Sequence, residues 1–142
     1  MSGLGITGVD HVGIAVAELD SALDFYRDKF GFEVEHLETN EEQGVTEAMV
    51  RVGQSDVRLQ ILAPLTPESP IAKFLDRSGP GIQQLAYRVV DINAACAAAT
   101  ANGMRLLFAE PKCGTANSKI NFIHPKDAGG VLVELVEPAS SH

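Results

Sequence analysis

Two stretches of this chain repeat each other at a fixed offset, and that echo constrains the fold more than any other feature. Val9-Asp10-His11-Val12-Gly13-Ile14-Ala15-Val16 alternates and is rich in β-branched residues, so it reads as a strand. A helix follows from Asp20, the N-cap candidate, to Phe30. Ala22, Phe25, Tyr26 and Phe30 recur along it at helical spacing, and Gly31 ends it as a left-handed residue. Ile82 to Val90 is again a strand, and Asp91-Ile92-Asn93 opens an alanine-rich helix that stops at Asn102-Gly103. A shift of 73 places His11 on Gln84, Val16 on Val89 and Leu19 on Ile92.

More strand-like runs follow each helix: 32–37, 47–52 and 57–62 in the first half, and 104–108, 120–124 and 131–136 in the second. Each half therefore reads β-α-β-β-β. The expected class is α+β, in one domain over 1–142, with a first module at about 8–63, a linker at 64–80 and a second module at about 81–137. The linker has four prolines and room for a short helix around Ile71 to Leu75. Duplicated four-stranded sheets of this kind can curl together into a cup. A ferredoxin-like domain is the alternative, but its module is shorter and needs no such echo.

The echo also carries polar residues. Gln60, in Val57-Arg58-Leu59-Gln60-Ile61-Leu62, and Glu134, in Val131-Leu132-Val133-Glu134-Leu135-Val136, stand 74 apart, each flanked by apolar neighbours in the last strand of its half. His11 and Gln84 occupy the first strands. A pseudo-two-fold would bring all four to the middle of the cup. One imidazole, two amide oxygens and one carboxylate suit an octahedral divalent ion, and oxygen-rich ligation favours Mn, Mg, Co or Ni over closed zinc. Taken singly, a strand glutamine or glutamate more often faces solvent. Four at paired offsets shift the balance toward a metal site.

Charge narrows the partners. A net charge of −8 argues against nucleic acid and against an anionic membrane surface, since both want a basic field. No apolar run has the length of a bilayer span, and the start Met-Ser-Gly-Leu-Gly lacks the features of a signal peptide. The two cysteines, Cys96 and Cys113, have no metal-ribbon spacing, and Cys96 reads as a small buried residue. A reducing cytoplasmic setting is the expectation. An acidic chain binds an acidic ligand only through a local basic patch or a bound cation.

The opening Asp10-His11-Val12-Gly13-Ile14-Ala15-Val16, the Phe25-Tyr26 helix and the duplicated module resemble the vicinal oxygen chelate superfamily, whose fold is the glyoxalase-like cup-shaped curled sheet. Three stretches look specifically like methylmalonyl-CoA epimerases: 40–50 (Asn-Glu-Glu-Gln-Gly-Val-Thr-Glu-Ala-Met-Val), 59–65 (Leu-Gln-Ile-Leu-Ala-Pro-Leu), and 110–135 with its Glu-Pro-Lys-Cys-Gly-Thr start. The resemblance places the family's metal ligands on His11, Gln60, Gln84 and Glu134, and its proton-transfer glutamate on Glu47. Gln84 departs from it. Such epimerases usually have histidine there, in Gly-x-His-His, where this chain has Gly81-Ile82-Gln83-Gln84. A carboxamide is a weaker donor than imidazole, which implies poorer affinity and a drift toward harder ions.

What the resemblance implies is inversion of the α-carbon of methylmalonyl-CoA, or of a related 2-substituted malonyl thioester, through a metal-stabilised enolate. Two acid/base groups on opposite faces are then needed, with Glu47 first and Glu134 second. Glu47 lies among Val45, Ala48 and Val50, where burial would raise its pKa. Lys112, Lys119 and Lys126 are the candidates for the CoA phosphates, and the loop Gly114 to Ser118 for the free carboxylate of the acyl group. A homodimer is expected. The rival readings are a metal-free sequestering protein of the same fold and a glyoxalase-type lyase.

Overall fold

The β-α-β-β-β order recurs in both halves of the computed structural model, which describes residues 3–140; His142, for which the sequence suggests no role, lies outside the described residues. The first half runs β1 (Ile6–Ala15), α1 (Leu19–Phe30), β2 (Glu33–Asn40), β3 (Val45–Arg51) and β4 (Arg58–Pro64). After α2 (Pro70–Ser78) come β5 (Gly81–Val89), α3 (Ile92–Ala101), β6 (Lys112–Cys113), β7 (Lys119–Ile123) and β8 (Val133–Glu137). The chain divides into two compact units: residues 11–83, and residues 1–10 with 84–142.

In the unit of residues 11–83 the strand order is β2-β3-β4-β1, with β1 and β4 parallel and the other pairs antiparallel. One sheet face takes α1: Leu23 packs on Ala48, Val50 and Ile61. Burying a leucine there contributes about 1.5–3 kcal/mol. Gly31 closes α1 with φ 71°, and the N–H groups of Gly31 and Phe32 return to the carbonyls of Arg27 and Tyr26. The helix begins earlier than the sequence suggests. Glu18 is the N-cap and Asp20 falls inside the first turn, where its carboxylate meets the positive end of the helix dipole instead of capping it.

The opposite face of this sheet carries Ala15, Val45 and Leu62, packed against Ile71 of α2. Helix α2 is the short linker helix foreseen around 71–75, extended at both ends. Pro70 sits in its first turn, and the Ser69 hydroxyl accepts from the N–H groups of Ile71 and Ala72 at 3.1 and 3.3 Å.

In the second unit the order is β5-β8-β7-β6, with β5 and β8 parallel. The start of β1 lies along β5 here: Val90 donates to the Gly5 carbonyl, and Arg88 Nε to Asp10 at 3.0 Å. Helix α3 covers one face, where Ala95, Cys96 and Ala99 pack on Val89, Ile123, Val133 and Leu135. Asp91 caps it through the Ala94 N–H, and Glu137 of β8 accepts from the Ile92 N–H at 2.9 Å.

The strand expected at 104–108 is absent as a regular element; a single bridge joins Leu106 to Ile123. The buried Asn121 amide takes over at Phe108, accepting from its N–H at 3.1 Å and donating to its carbonyl at 3.0 Å. Edge pairing to β7 resumes after Pro111, as β6.

Candidate active site

On the face of the 11–83 sheet turned away from α1, register sets the side chains. In β4, Gln60 stands opposite Gly13 of β1 and Met49 of β3. His11, two residues before Gly13, and Glu47, two before Met49, therefore share its face. All three are buried. Gln60 Nε2 donates to Glu47 Oε2 at 3.1 Å, which leaves Oε1 as the amide's donor atom toward any cation.

The second unit repeats the plan. Glu134 of β8 is opposite Ala86 of β5 and Phe122 of β7, and Gln84 lies two residues before Ala86. Gln84 and Glu134 are buried on the sheet face away from α3, and Gln84 Nε2 donates to Glu134 Oε1 at 2.7 Å. Around them pack Ala86, Ile120, Phe122 and Val136. Each unit thus presents two of the four candidate donors on a buried face. Within each unit the amide nitrogen is committed to a carboxylate, so the amide oxygen is the glutamine atom whose chemistry suits a hard cation.

The lysines part company. Lys112 is opposite Ile120 and shares the face of Glu134, with its ammonium 5.0 Å from the centre of the Phe108 ring. That ring meets Phe122 edge-on at 5.8 Å. Lys119, opposite Cys113 and Glu137, points to the other face, and Lys126 lies past β7 in a short 3-10 turn at Pro125–Asp127. His124, unassigned from sequence, caps that turn by accepting from the Lys126 N–H at 3.1 Å. In the 114–118 loop, Ala116 and Asn117 hold positive φ, and a Cβ on Gly114 would come within 2.6 Å of Ile120. Only glycine fits that close approach.

Sequence reasoning missed two residues of β2. Val34 pairs with Val50 on the α1 face, so plain alternation would send His36 and Glu38 there too. A β-bulge at Glu35 reverses the parity: His36 pairs with Met49, and Glu38 with Glu47. His36 Nε2 lies 2.8 Å from Glu38 Oε1.

Residues 10–122 match the family described as the Glyoxalase/Bleomycin resistance protein/Dioxygenase superfamily. The chain is similar in structure to the methylmalonyl-CoA epimerase of Mycobacterium tuberculosis, with 56% identity, TM-score 0.93, and coverage of 96% of this chain and 91% of that one. The Streptomyces coelicolor methylmalonyl-CoA epimerase, solved in complex with 2-nitronate-propionyl-CoA, is 42% identical at TM-score 0.91, over 95% of this chain and 99% of that one. An ethylmalonyl-CoA/methylmalonyl-CoA epimerase of Cereibacter sphaeroides is 38% identical over 129 residues, which is 89% of this chain and 95% of the relative.

Proposed function

Because this chain belongs to the glyoxalase/bleomycin resistance protein/dioxygenase superfamily, we propose that it epimerises methylmalonyl-CoA or a related 2-substituted malonyl thioester. The observation that carries the reading is Glu47: a buried carboxylate held by Gln60 on the polar face of a sheet, in a chain whose near relatives are epimerases.

Glu47 takes the α-proton of the acyl group, and Glu134 returns a proton to the opposite face, which inverts the centre. Gln60 and Gln84 each keep one of these carboxylates oriented through an amide N–H. His11, Gln60, Gln84 and Glu134 are the proposed donors to a divalent cation (Co, Mn, Mg or Ni). When bound, such a cation supplies Lewis-acid polarisation of the carbonyl oxygens. Burial of these side chains supports the reading, since a low-dielectric surround strengthens their interactions with developing charge. Lys112 is the best supported of the three CoA-phosphate candidates, because Phe108 orders its side chain on the face of Glu134; Lys119 and Lys126 stand as further ones. A homodimer in the cytoplasm completes the proposal. Among the described residues, no helix is long and apolar enough to cross a membrane.

The test follows deuterium incorporation at the α-carbon of methylmalonyl-CoA in D2O, with and without added Co or Mn. Exchange is expected to need the metal and to fall about 10²- to 10⁴-fold in Glu47→Gln. No exchange with any metal, alongside binding of the thioester, would favour a sequestering protein instead.

A further inference from the structure

The α-carbon of a 2-substituted malonyl thioester carries three groups besides the hydrogen that is exchanged. Two are carbonyls, which suit polar donors or a cation. The third is the alkyl substituent, one bond from the carbon that loses its hydrogen, and it asks for an apolar neighbour. On the polar face of the 11–83 sheet, one side chain stands in that place.

We propose that Met49 receives the α-substituent of the acyl group and sets its permitted size; this rests on the reading of Glu47 as the base. Glu47 and Met49 are two apart in β3, so they share a face with their Cα atoms about 6–7 Å apart. Met49 is also directly opposite Gln60, which brings their Cβ atoms to about 4.5–5.5 Å.

The other side of Glu47 is closed. Val45, two residues before it, and Leu62, directly opposite it, are buried with Ile71, Phe74 and Leu75 of α2 packed against them. Past Met49 in the other direction, Arg51 and Arg58 oppose each other and both donate to Glu35. The order along the face is thus a packed apolar wall, the carboxylate, Met49 and an ion-paired cluster. Val45 is buried, whereas Met49 is partly exposed. Of the two apolar side chains that flank Glu47 on β3, Met49 is therefore the one within a ligand's reach.

Side-chain type fixes the expected range. Methionine is unbranched, with three rotatable bonds, so it can fold back from a larger substituent or extend toward a smaller one. Methyl and ethyl substituents should both be accepted. A β-branched residue, stiff at its first torsion, cannot retract in this way.

The test is deuterium exchange at the α-carbon of methylmalonyl-CoA and of ethylmalonyl-CoA on the metal-loaded enzyme, read as the ratio of their kcat/KM values. One methylene in an apolar pocket is worth about 10- to 200-fold in such a ratio. Wild type is expected to hold the two thioesters within about tenfold of each other. Met49→Ala should move the ratio at least about tenfold toward ethylmalonyl-CoA, and Met49→Ile at least about tenfold toward methylmalonyl-CoA. An unchanged ratio in either variant would overturn the proposal. So would a fall shared equally by both thioesters, which marks a structural role. Failure of the underlying reading looks different: a wild-type enzyme that exchanges neither thioester, or a Glu47→Gln enzyme that still exchanges both, removes the base and Met49's role with it.

Discussion

Gln60 turns its amide nitrogen to the Glu47 carboxylate at 3.1 Å, with both side chains buried on one face of the sheet. The pair is asymmetric in what it needs. Removing the amide leaves a buried carboxylate short of a donor, whereas changing the carboxylate to an amide keeps the shape. Gln60→Leu is therefore expected to cost about 1–3 kcal/mol of stability, read from urea unfolding, while Glu47→Gln loses chemistry and stays within about 0.5 kcal/mol of wild type. Equal stability for Gln60→Leu and wild type would mean that the amide is not Glu47's essential partner.

Asn121 is fully buried and replaces a stretch of β-ladder with its side chain, serving both the N–H and the carbonyl of Phe108. Asn121→Ala should destabilise the protein by about 1–3 kcal/mol through these orphaned backbone groups. It should also speed hydrogen exchange at the Phe108 amide. Unchanged exchange there would show that the backbone finds another partner.

Asp127 is held down to about 2 by the Arg105 guanidinium and backbone N–H, from an ordinary value of 3.8. A carboxyl depressed on folding adds stability above its unfolded pKa and loses it as pH falls through the folded one. Between about pH 4 and pH 2, wild type should lose more Tm than Asp127→Asn. Parallel acid limbs for the two proteins would contradict the assignment. The pair also bridges residue 105 to the turn after β7, so the mutant's loss at neutral pH should be confined to that edge.

The two thiols should be distinguishable. Burial pushes the Cys96 thiol up, and it packs under α3, while Cys113 is exposed on β6. A thiolate-selective reagent at pH 8 is expected to titrate one thiol per native chain and two after denaturation. Two fast thiols in the native protein would mean that α3 opens readily.

Much of this architecture is written locally. The echo between His11 and Gln84, the Gly31 stop, the Asp91 cap and the alternation around Gln60 and Glu134 all follow from periods of 2 and 3.6 residues and from cap chemistry. Those signals sufficed to name His11, Gln60, Gln84 and Glu134, whereas Glu47 was named through the family resemblance; all five are buried. The lysines were less legible, because proximity in sequence does not say which face of a two-residue strand such as β6 each one takes.

The amino-acid sequence by itself determined the duplicated β-α-β-β-β order and the chemistry available to it, since both arise from contacts within a turn or a strand. Tertiary structure alone decided the parity of β2 and the edge of β7. One extra residue at Glu35 reverses every side chain beyond it, and one buried amide at Asn121 supplants a ladder. Both depend on partners from other strands, and no local period records them.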